Sequence, residues 1–192
     1  MNASLDPTVV IVPGLRDHVE EHWQTLLAGT LDKVRIVPPL ERDKLSRAAR
    51  VEALDAVLTA IDGPVVLVAH SAGVMITVHW ARHATRPVQG ALLATPPDFE
   101  SSWPAGYPTT AELNDHGWNP FPWQRLPFPA IVAASTTDPL ASFRRVSGMA
   151  EAWGSRLVDL GDVGHLNPAS GYGHWPRGGE LLREVIGMSS RG

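Results

Sequence analysis

An unbroken apolar run, Val65-Val66-Leu67-Val68, leads straight into Ala69-His70-Ser71-Ala72-Gly73 and then into a helical pattern. No other stretch restricts the fold so tightly. Gly63-Pro64 opens the run and small residues close it, so it reads as a buried strand. The chain must then turn at once into a helix. In so tight a corner, side chains two before and two after Ser71 would clash, so both must be small. They are Ala69 and Gly73. Such a strand-to-helix corner holds the Ser71 hydroxyl out at the end of a sheet.

The rest of the chain repeats the alternation of strand and helix. Val9-Val10-Ile11-Val12 reads as a strand stopped by Pro13-Gly14, and Val34-Arg35-Ile36-Val37 as a second, closed by Pro38-Pro39. Residues 88–94, 130–134 and 156–160 supply three more. Helices are expected over about 18–31, 46–61, 73–84, 142–153 and 178–187. In 46–61, Val51, Leu54, Leu58 and Ile61 recur at helical spacing, with Arg50, Glu52 and Asp55 as the polar residues between them. Strands rich in Val and Leu, without polar alternation, belong in a sheet covered on both faces. The expected fold class is therefore α/β: about six strands, mainly parallel, with helices on both faces, in one domain spanning 1–192.

Residues 96–129 break the rhythm. They hold eight of the seventeen prolines and three of the seven tryptophans: Trp103, Trp118 and Trp123. A loop that long is usually functional or disordered, and its aromatics argue against disorder. It is read as a cover over the site at Ser71, with the three tryptophans in a substrate pocket. A proline-stiffened plug on the sheet edge is the alternative.

A serine hydroxyl becomes a nucleophile when a base takes its proton and an acid orients that base. The chain order to look for is Ser, then an acid after one strand, then His after another. Ile131-Val132-Ala133-Ala134-Ser135 runs into Thr136-Thr137-Asp138-Pro139, and Leu157-Val158-Asp159-Leu160 into Gly161-Asp162-Val163-Gly164-His165. Ser71, Asp138 and His165 are thus the expected catalytic residues. Asp98 is a rival acid after an earlier strand. Asp162 lies too close to His165 on one loop to serve. An oxyanion would be received by the backbone N–H groups of Ala72 and Leu15.

Composition removes several other functions. A formal net charge of −4, with no run of like charges, gives no case for nucleic acid or an anionic membrane surface. No apolar stretch approaches spanning length, so no membrane association is expected. Without cysteine there is no disulfide, thiolate metal site or cysteine nucleophile, which fits a cytoplasmic protein. The opening Met1-Asn2-Ala3-Ser4-Leu5-Asp6-Pro7 lacks the basic and apolar regions of a signal peptide.

With these residues assembled, the chain resembles the small serine hydrolases of the retinoblastoma-binding-protein-nine type, within the α/β-hydrolase superfamily. Pro13-Gly14, His22-Trp23, Ala69 to Gly73, Ser135 to Pro139, Gly164-His165-Leu166-Asn167 and Ser170 to Pro176 carry the likeness, which spans about the whole chain. Two departures stand out: Ala69 where Gly is usual, and Pro13-Gly14 where His-Gly is frequent. The resemblance implies Ser71, Asp138 and His165 as a triad, no cofactor, and no large inserted cap domain. It implies carboxylesterase activity on small ester substrates, with an aminopeptidase-like or amidase-like action on amides beside it. The family name records a protein partner, so a weakly active or inactive binding module is the alternative. The intact triad argues against it, and no protein partner is specified.

His18-Val19-Glu20-Glu21-His22 has the H-x-x-E-H spacing of a zinc-binding helix. A third ligand is not evident, and no metal is expected. His70 reads as a support for the corner rather than a base. His79 and His83 read as satisfied or exposed helix residues. Trp23 and Trp175 either line the site entrance or pack.

Overall fold

A computed structural model describes residues 6–189. The signal-peptide reading rests largely on residues 1–5, which lie outside that range. The element order is β1 (Thr8–Val12), α1 (Trp23–Ala28), β2 (Val34–Ile36), α2 (Arg47–Thr59), β3 (Val65–His70), α3 (Ala72–Ala81), β4 (Gly90–Ala94), α4 (Thr110–Asp115), β5 (Ala130–Ala134), α5 (Phe143–Trp153), β6 (Arg156–Asp159) and α6 (Pro176–Ser189). The strands form one sheet in the order β2-β1-β3-β4-β5-β6, and every neighbouring pair is parallel.

The period of two along each strand explains the two-sided core. Val10 and Val12 of β1, with Val65, Leu67 and Ala69 of β3, face the side covered by α2, α3 and α5. Val9 and Ile11, with Val66 and Val68, face the side covered by α1 and α6. Helix α3 is buried from Ala72 through Trp80, because α2 packs over it. The chain leaves β1 for β2 on one side, then crosses back to β3 on the other. The β1/β3 boundary is the switch point, where a crevice opens at the carboxyl ends of the strands.

Three sequence expectations need correction. The helix expected over 18–31 covers only Trp23–Ala28. His22 caps it, its ring Nδ1 accepting the Gln24 N–H, and residues 17–22 run as loop and turn. Second, residues 96–129 are not all loop. Helix α4 lies within them, started by a reciprocal cap between Thr109 and Glu112. Phe99, Leu113, Trp118 and Phe121 from this segment are buried in the core. Third, Arg50 does not stand on the polar side of α2. It is buried in line with Leu54 and Leu58.

Candidate active site

Ser71 sits at the end of β3 with φ 55° and ψ −129°. A non-glycine residue there carries about 1–3 kcal/mol of strain. Its N–H donates to the Ala94 carbonyl of β4 at 3.0 Å, so the corner is tied to the neighbouring strand. Gly73 is where the corner meets β1. A Cβ added there would lie 2.1 Å from the Val12 carbonyl oxygen and 2.8 Å from that of Pro13. Backbone against backbone leaves no room for any side chain. Gly14 lies on the same contact, where an added Cβ would be 3.2 Å from Ser71 Cβ.

The structure brings the three expected residues together. His165 Nε2 is 2.8 Å from Ser71 Oγ, and His165 Nδ1 is 2.9 Å from both carboxylate oxygens of Asp138. The imidazole and carboxylate side chains are only 6% and 2% exposed. A carboxylate accepts, so Nδ1 carries the proton and Nε2 is left to accept from the serine hydroxyl. Asp138 is itself aimed by the Leu140 N–H, which donates to Oδ1 at 2.9 Å. The rival acids are engaged elsewhere. Asp98 lies 3.2 Å from Arg145 Nε, and Asp162 accepts from the Thr137 hydroxyl at 2.6 Å.

Two further histidines lie against this group. His70 Nε2 donates to the His165 carbonyl at 2.9 Å, so it holds the loop that carries His165. The His22 ring centroid lies 4.6 Å from that of His70, the two planes tilted by 57°. Burial, then the proximity of His165, pushes His22 down to about 4. The same causes, with His22 added, push His70 well below its ordinary value of 6.5. Both are neutral where the His165–Ser71 pair would have to work. His79 is also buried, its Nε2 donating to the Trp118 carbonyl at 3.0 Å, and burial pushes it to about 4.

The loop after β1 forms the other wall. Arg50 reaches it from α2, with Nη1 2.6 Å from Asp17 Oδ1 and Nη2 donating to the Leu15 carbonyl at 3.3 Å. Its Nε donates to the Lys44 carbonyl at 2.9 Å. One buried guanidinium thus fixes the loop bearing Leu15. Beneath it, Gln24 Nε2 donates to the carbonyls of Val12 at 3.2 Å and Val68 at 3.0 Å, where β1 and β3 part.

These walls enclose a cleft of about 170 Å³ that reaches Ser71, Ala72, Leu15 and His165. Trp103, Tyr107 and Pro108 close its far side. Of the five expected pocket tryptophans, Trp103 alone lines the cleft. Trp23 is buried, edge-on to Trp175 at 4.8 Å and to His70 at 6.0 Å. Trp118 is fully buried, its Nε1 donating to the Leu45 carbonyl at 2.7 Å. Trp123 lies under the Arg145 guanidinium at 4.6 Å. A large ring with one N–H is as useful for packing as for a pocket, and here packing claims four of five.

His18 and His22 do not share a helix face, because residues 18–22 are not helical. Among the described residues, no cluster of three or more His, Cys, Asp or Glu side chains could hold a metal ion. No helix among them is long and apolar enough to cross a membrane. Sequence reasoning missed Arg50, Gln24, Arg16 and Tyr107 at the site. Arg50 left a readable signal: a charge four residues before Leu54, on the apolar stripe.

The site can be set beside known proteins. The model of a family described as serine hydrolase matches residues 9–184. No curated protein matches the chain. Among solved structures, a protein described as a YdeN-like hydrolase from Pectobacterium atrosepticum shares 28% identity at a TM-score of 0.75, covering 93% of this chain and 91% of that one. The ydeN gene product of B. subtilis superposes at 0.74 with 19% identity, covering 94% and 99%. A protein described as a hydrolase from Agrobacterium vitis S4 superposes at 0.70 with 19% identity, covering 95% and 87%. At 19% identity the last two speak to the fold alone.

Proposed function

The chain belongs to the serine hydrolase family, and from that premise we propose that it cleaves small ester substrates, and amides beside them, through an acyl-enzyme on Ser71. The observation that carries this reading is the unbroken hydrogen-bonded line from Ser71 Oγ through His165 to Asp138. Ser71 Oγ attacks the substrate carbonyl carbon while His165 Nε2 takes the hydroxyl proton. Asp138 holds the imidazole in the required tautomer and stabilises the imidazolium. The carbonyl oxygen becomes an oxyanion, received by the Ala72 and Leu15 N–H groups. Their place at the cleft beside Ser71 supports that role, and the positive end of α3 adds to it. The intermediate collapses, the bond to the leaving group breaks, and His165 returns the proton to the departing alcohol or amine. Water then repeats the sequence, with His165 as base, and releases the acid.

Within the family we read the chain as one of the retinoblastoma-binding-protein-nine type, acting as a carboxylesterase. The packing of Trp23 on Trp175 joins two of the segments on which that likeness rests. Residues 96–129 act as a wall with a partial cover, since Trp103, Gly106, Tyr107 and Pro108 reach the cleft.

The test is labelling with a fluorophosphonate probe, together with turnover of a panel of p-nitrophenyl esters and aminoacyl amides. Labelling and turnover are expected in the native chain, with loss of both in Ser71→Ala. A folded native sample that neither labels nor turns over any ester or amide overturns the reading. Undiminished activity in Ser71→Ala does the same.

A further inference from the structure

The lining of the cleft beside Ser71 includes one charged side chain without an ionic partner. The Asp17 carboxylate is paired with Arg50. His22 and His70 are held neutral by burial. The imidazole of His165 faces Asp138 on one side and Ser71 on the other. What is left among the charged lining residues is Arg16, which is exposed to solvent. Its guanidinium stands 5.5 Å from the centroid of the Tyr107 ring. Among the described residues no carboxylate pairs with it. Arg50, which reaches the same wall, by contrast meets Asp17.

We propose that the substrate carries a carboxylate besides its reacting carbonyl, and that Arg16 receives it. This rests on the reading of Ser71 as the nucleophile. Arg16 follows Leu15 directly, so the cation stands on the same loop as the oxyanion-binding amide. The Tyr107 ring holds one face of the guanidinium and leaves its N–H edge free for a planar, two-oxygen partner. Trp103, Pro108 and Leu140 offer apolar contact for the carbons between the two groups. At about 170 Å³ the cleft has room for a short half-ester or half-amide of a dicarboxylic acid.

The experiment uses two matched pairs of esters. Mono-p-nitrophenyl glutarate against p-nitrophenyl pentanoate puts the charge on the acyl side. Acetoxyacetate against ethyl acetate puts it on the alcohol side. The readout is the ratio of kcat/KM within each pair. The native chain is expected to favour the charged member of one pair by about fivefold, the upper range for a solvent-exposed ion pair. Arg16→Gln should bring that ratio to about one, Arg16→Glu should invert it, and 0.5 M salt should shrink it. A ratio near one for both pairs in the native chain overturns the proposal, as does a preference that survives in Arg16→Gln. Turnover of the neutral esters, lost in Ser71→Ala, tests the nucleophile separately. If no ester is turned over, glutarate binding by calorimetry decides: weakening in Arg16→Gln upholds the anion site, and absence of binding overturns it.

Discussion

Replacing Arg50 by Met should separate the stability of this protein from the geometry of its site. The substitution keeps an unbranched chain of similar length in the core. It removes the ion pair to Asp17 and the hydrogen bonds to the carbonyls of Leu15 and Lys44. Breaking a buried ion pair from one side costs about 3–5 kcal/mol, because the other charge is stranded. Asp17 keeps 14% exposure, so water relieves part of that penalty. The expected loss is therefore about 3 kcal/mol, or about 6–12 °C in Tm for a chain of this size. Adding Asp17→Asn removes the stranded charge. Asn also tolerates the φ of 58° at that position. The double variant should regain about half of the loss, measured by urea titration as a double-mutant cycle. In parallel, with the Leu15 N–H as the proposed oxyanion donor, kcat for a p-nitrophenyl ester should fall by up to about 10²–10³ as its loop shifts. An Arg50→Met protein within about 1 kcal/mol of native would refute the reasoning. So would a double variant that loses the full sum of the two single changes.

Strain at Ser71 predicts that Ser71→Gly is more stable than Ser71→Ala by about 1 kcal/mol, since both lack the hydroxyl and only Gly accepts a φ of 55° freely. Equal melting temperatures would remove the strain from the account. Gly73→Ala should cost at least about 3 kcal/mol in a urea titration, because the added carbon meets the Val12 carbonyl at 2.1 Å; a native-like midpoint would contradict the contact. Stability should also fall on acidification. His22 and His79 have folded values of about 4 against an ordinary 6.5. The unfolded chain therefore takes up their protons first, and stability present above pH 6.5 is lost progressively as pH falls toward about 4. His79→Gln should flatten that decline, followed by chemical denaturation at several pH values.

The sheet was legible in the sequence because burial on both faces leaves uninterrupted apolar runs, as in Val65-Val66-Leu67-Val68. The line from Ser71 to His165 and Asp138 was legible because each residue follows a strand in a required order. What the sequence hid was the use of polar and aromatic side chains inside the core. Arg50 looks like surface charge until Asp17, 33 positions earlier in the chain, is folded back onto it. Trp118 and Trp23 look like pocket residues until their neighbours are known. The helix expected over 18–31 is cut short because residues 14–22 leave helical geometry to line the cleft, and hydrophobic periodicity alone cannot see a loop held by a distant arginine.

The segment 96–129 divides into an anchor and a tip. Phe99, Trp118 and Phe121 are locked in the core, whereas Pro104, Ala105 and Gly106 lie exposed between Trp103 and Tyr107 at the cleft. Substitution at the anchor therefore disturbs core packing, whereas substitution at the exposed tip changes the cleft with little effect on the core. New substrate ranges are expected to arise, in natural divergence or in a laboratory library, through residues 103–108, with the anchor held constant. Exchanging the whole segment between relatives would carry the tip but break its moorings.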